Sequence, residues 1–91
     1  MNMDMLEIAV RSTNARVDRI AAGYVRERHL HDLMAGPYEG TAQIVERLER
    51  AVRGSQRALA RGHWSADGNR VLALRGALQA ERATLTAEGA A

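Results

Sequence analysis

Cysteine is absent from this 91-residue chain. That excludes disulfides, thiol catalysis and thiolate metal sites. Phenylalanine and lysine are missing too, and the chain holds one Trp, two Tyr and one Pro. Leu, Ile and Val number 18, about one residue in five, so a self-sufficient core is hard to build at this length. No apolar run approaches the roughly 20 residues that span a bilayer. The opening Met1-Asn-Met-Asp-Met-Leu-Glu-Ile carries acids where a secretory leader would carry bases, so a cytoplasmic protein is expected. All thirteen bases are Arg, a bias that a GC-rich genome explains, and the net charge of +2 does not demand a polyanionic partner.

What is present is periodicity. Leu6, Val10, Thr13, Val17, Ile20 and Tyr24 recur at steps of four and three, one stripe of an α-helix. Val45, Leu48, Val52, Ser55 and Leu59 repeat the rhythm, as do Val71, Leu74, Leu78 and Leu85. Gly36-Pro37 ends the first segment, and Thr41 is a candidate cap for the second. The run from Gly62 to Asn69 separates the second from the third, with Asp67 or Asn69 as its cap and Gly89 as its stop. Gly76 within the third segment costs about 1 kcal/mol relative to Ala, a loss offset if two backbones approach closely there.

A continuous first helix from Met5 to Met34 would be about 45 Å long, against about 30 Å for the other two. Ser12-Thr13-Asn14, poor in helix interiors and good at N-caps, is the natural break. The expected fold is all-α: an antiparallel three-helix bundle (helices about 14–35, 41–61 and 69–88, within residues 12–91) preceded by an N-terminal apolar arm at 1–11. The alternation of Leu6, Ile8 and Val10 also fits an edge strand, but no other segment reads as β, so a helical extension is preferred. Leu6 and Val10 then overrun the bundle, and His31 continues the stripe as a half-buried residue.

Chemistry has little to work with. No Ser-His-Asp order, paired carboxylates or Gly-rich phosphate loop is present, so no catalytic residue is assigned. His29, His31 and His63 lack a metal-ligand spacing, and neither metal nor cofactor is expected. Arg47, Arg50, Arg53, Arg57 and Arg61 form a basic stripe that could follow a phosphate backbone. Glu46 and Glu49 stand one turn before Arg50 and Arg53 and would neutralise its first half. The leading expectation is a non-enzymatic protein-binding module, an adaptor, chaperone or inhibitor. It would engage another chain or a copy of itself through Leu6, Ile8 and Val10, with Tyr38 and Trp64 as aromatic anchors. A nucleic-acid-associated regulator using Arg50, Arg53, Arg57 and Arg61 is the alternative.

Tyr38-Glu39-Gly40 opening a helix, and Ala60-Arg61-Gly62-His63-Trp64 ahead of a Leu-rich helix, resemble motifs of flagellar export chaperones. The resemblance spans roughly residues 38–88. It implies a small helical bundle that holds an export substrate by its amphipathic segments. The interval from Tyr38 to Gly62 is about one turn longer than in that family, and no binding residue transfers from it.

Overall fold

The structure, a computed structural model, describes residues 4–63 and 66–90. These residues form four helices and no strand: α1 (Met5–Gly23), α2 (Arg26–Leu33), α3 (Gly40–Ala60) and α4 (Gly68–Ala90). The protein is all-α. Asp4 starts α1 by accepting the Leu6 N–H at 3.1 Å. Asp67 starts α4 the same way, with the Asn69 N–H at 2.9 Å. Gly36, with φ +85°, makes the turn after α2 that only glycine enters cheaply. Arg47 fixes that turn from α3 by donating to the carbonyls of Pro37 and Ala35.

The first helical segment divides elsewhere than at Ser12-Thr13-Asn14. α1 runs unbroken through those residues and stops at Gly23, and Tyr24 and Val25 are extended. Gly23 is a weak helix former and Tyr and Val favour extended backbone, so the break costs little there. It also turns Tyr24 and Arg26 toward the same carboxylate on α4. Residues 5–11 are thus a helical extension of α1, and the described residues form four helices where three were expected. Val25 heads α2, its N–H bound by His29 Nδ1 at 2.8 Å.

α4 is the centre of the molecule and packs against each of the other three helices. It runs antiparallel to α3, since Thr41 meets Glu88 and Glu49 meets Arg82. Along α1 the pairs advance together, Asn14 with Arg75, Asp18 with Gln79, Tyr24 with Glu81. From Val71 to Leu78 no residue is exposed, as expected of a helix covered on several sides. Leu74, Ala77 and Leu78 form the core with Ile44, Val45, Leu48 and Val52 of α3 and Leu30 of α2. The assembly measures 44 × 35 × 19 Å, and its radius of gyration of 14.6 Å exceeds the roughly 12 Å of a compact domain this long. It is an open slab.

Gly76 is where α1 comes closest. A Cβ there would stand 2.6 Å from Ile20 Cβ and 3.3 Å from the Ala21 nitrogen, and would also strike Ile20 Cγ2. Gly76→Ala therefore tests the packing by its sign. Helix propensity alone favours Ala by about 1 kcal/mol, whereas overpacking costs about 1–3 kcal/mol. Urea denaturation is expected to show a net loss, recovered in part when Ile20→Ala is added.

Candidate functional site

Two features stand apart from ordinary helix packing, a buried polar cluster and an apolar helix end. The cluster is built on Glu81 of α4, which is 1% exposed. Its carboxylate accepts from the Tyr24 hydroxyl at 2.7 Å and from Arg26 at 2.9 Å (Nε) and 2.5 Å (Nη2). The same Arg26 nitrogen donates to Thr41 Oγ1 at 3.0 Å, and Thr41 donates to Glu88 at 2.8 Å. Arg26 also lies 5.9 Å from the centre of the Tyr38 ring. Thr41 is accordingly a buried link between helices rather than a cap; Glu39 heads α3, its N–H bound by Gln43.

Burial acts to raise the Glu81 pKa, but the hydrogen bonds from Arg26 and Tyr24 outweigh it, so the carboxyl titrates below its ordinary 4.5. Burial, then the bond to Glu81, pushes the Tyr24 phenol above its ordinary 10.0. The bond to Glu81 likewise holds the Arg26 guanidinium charged. Every buried side-chain polar atom among the described residues has a partner. The cluster is electrostatically satisfied, and its role is to join elements.

The apolar end is the first turn and a half of α1. Met5, Leu6, Ile8 and Val10 are 84%, 69%, 52% and 50% exposed. Further along the same stripe Thr13 is half-buried and Val17 buried, so burial increases toward the slab. With the arm helical, Leu6 and Val10 share one face, while Ile8 falls on the opposite side with Met5. The arm is thus apolar over more than half of its circumference, with Glu7 and Arg11 on the remaining flank. Beside it lies a hollow of about 250 Å³ lined by Ala9, Val10, Thr13, Asn14 and Arg75.

The remaining sequence candidates do not gather here. Tyr38 is 43% exposed and stands with Arg26, near the half of α4 that carries Glu81 and Glu88, away from the arm. Trp64 lies outside the described residues. His31 is exposed rather than half-buried, 3.3 Å from Asp32. Of the Arg stripe, Arg47 is committed to the loop carbonyls, and Arg50 and Arg53 pair with Glu46 (3.4 Å) and Glu49 (3.9 Å). Arg57 and Arg61 remain exposed. Among the described residues no cluster of His, Asp or Glu could hold a metal ion, and no helix is long and apolar enough to cross a membrane.

Glu81 and Arg26 do not stand out in the sequence pattern, and Thr41 reads there only as a helix cap. The one available signal was Glu81 itself, an acid on the third apolar stripe, one turn short of Leu85. No protein-family model, curated protein or solved structure matches the chain.

The cluster predicts how stability depends on pH. Glu81 titrates lower in the folded state than unfolded, so its contribution is full above about pH 4.5 and is lost as the pH falls through its depressed value. Tyr24 titrates higher when folded, so its contribution is full below about pH 10.0 and is lost as the pH rises further. Denaturation midpoints across pH are expected to form a plateau with a fall at each end. Tyr24→Phe should flatten the alkaline fall. Glu81→Ala, which leaves Arg26 facing a vacant carboxylate position, should cost about 3 kcal/mol at neutral pH.

Proposed function

We propose that the protein is a non-enzymatic helical interaction module, which binds another polypeptide through the α1 arm. The observation that carries this reading is the arm itself. A wide apolar helix face is ordinarily packed against a neighbour, and this one places four large apolar side chains within six residues in solvent. Single exposed apolar residues are commonplace, but a contiguous set marks an interaction surface. The hollow between Val10 and Arg75 adds a seat for a partner's side chain.

In this reading the three long helices act as an antiparallel bundle that holds the arm rigid. Adaptor, chaperone or inhibitor roles in the cytoplasm share this mechanism, since each acts by occupying a surface. Export-chaperone-like holding of an amphipathic segment is one form of it, supported by the way Tyr38-Glu39-Gly40 leads directly into α3. The acidic partners of Arg50 and Arg53 weigh against the nucleic-acid alternative.

Photo-crosslinking residues placed at Leu6, Ile8 and Val10 in expressing cells test the reading, with Gln56 on α3 as the control position. Polypeptide adducts are expected from the arm positions and not from Gln56. Absence of any polypeptide adduct from the arm overturns the proposal. A nucleic-acid adduct at Gln56, which stands between Arg53 and Arg57, would favour the alternative.

A further inference from the structure

We infer that the occupant of the arm surface is a second copy of the same chain, with the two α1 arms packed antiparallel about a two-fold axis near Ala9. The inference rests on the arm being a polypeptide-binding surface, and it names the partner. A two-fold interface requires one patch to be complementary to itself, and the arm has the parts for this in both shape and charge.

The shape complement is Leu6 and the hollow. Leu6 projects from the exposed stripe, 69% accessible, while Ala9, Val10, Thr13 and Asn14 border the concavity of about 250 Å³ four to seven residues further along. When a second α1 runs antiparallel across the first, Leu6 of each copy falls opposite the hollow of the other. That places a knob over a hole on both sides of the axis. Ala9, at the crossing, is small enough for two backbones to come close.

Charge supplies the register. On the helix, Glu7 and Arg11 lie on the same flank of the Leu6–Val10 stripe, one turn apart, as does Asn14. An antiparallel two-fold brings like flanks together, so Glu7 of one copy faces Arg11 of the other, twice. Arg75 stands at the rim of the same hollow. Its side-chain hydrogen bond is a 3.5 Å contact with the uncharged Asn14 amide and no ion pair engages it among the described residues, so its charge is also available to the incoming Glu7. A parallel pairing would instead set the Glu7–Arg11 flank against the opposite flank of the partner, which carries Met5 and Ala9, and would form neither ion pair. The apolar contacts thus bring the arms together, and the charges select direction.

The chain contains no cysteine, so introduced thiols report on this geometry without background. Sedimentation equilibrium of the intact protein is expected to show concentration-dependent doubling of its 10.0 kDa mass. Leu6→Glu should leave it monomeric with unchanged helicity, because that side chain is exposed within the single chain. Under oxidation, Ala9→Cys chains should link to one another, and Leu6→Cys chains should link to Thr13→Cys chains. Leu6→Cys alone should not form a dimer, because the antiparallel register holds the two Cα atoms beyond the ~7 Å that a disulfide spans. Efficient self-linking of Leu6→Cys overturns the antiparallel register. A dimer that survives Leu6→Glu, or a monomer at every concentration, overturns the inference altogether. In the latter case arm adducts to a different polypeptide in cells would still uphold the binding reading, whereas the loss of both would remove it.

Discussion

One buried carboxylate organises the whole chain. Glu81 sits on the central helix with almost no solvent contact, and its acceptor oxygens are filled by groups from the extended link after α1 and from the head of α2. Through Arg26 and Thr41 the same network reaches α3 and returns to α4 at Glu88. An unpaired charge at that depth would cost several kcal/mol. The backbone between α1 and α2 is therefore held wherever Tyr24 and Arg26 can both reach the carboxylate. The apolar core, short of large side chains, supplies burial without much specificity. The polar cluster supplies the specificity.

The second organising fact is the position of α4. Its neighbours are arranged around it rather than around a shared axis, so the molecule is a slab with an open outline. In such an arrangement a flanking helix is covered only for the length over which it meets the centre. α1 meets α4 from about Asn14 onward, with Gly76 admitting Ile20 and Ala21 at the closest point. Residues nearer the start of α1 continue the same stripe with less and less to pack against. Their exposure follows from the geometry of the slab, and their apolar character makes that exposure consequential.

Much of this was legible in the residue pattern, for a consistent reason. Helical periodicity, the Gly36-Pro37 stop and the Asp67 cap are decided within a few residues, and local physics reads them correctly. The close approach at Gly76 and the overrun of Leu6 and Val10 followed from single residues and helix lengths. What was missed depends on partners far away in sequence. Ser12-Thr13-Asn14 and Gly23-Tyr24-Val25 are both weak helix formers, yet the chain breaks at the second, where Tyr24 and Arg26 reach Glu81, more than fifty residues on. Thr41 reads as a cap until Arg26 and Glu88 are brought to it. His31 keeps the stripe's rhythm but lies beyond the end of α1, on a helix with a different orientation. Ile8 shares an alternating pattern with Leu6 and Val10 that dissolves once the segment is helical.

The hub of this fold is synthesised after the three helices that pack on it. α1 and α3 each pack on α4, so neither finds its burial surface until α4 itself has been made. The contacts that matter most join residues 55 to 61 positions apart. Until α4 arrives, the apolar stripes of α1 and α3 have no native neighbour, and contacts of that span are slow to form. For a nascent chain this is an interval in which any apolar surface offered by another molecule competes with the chain's own fourth helix.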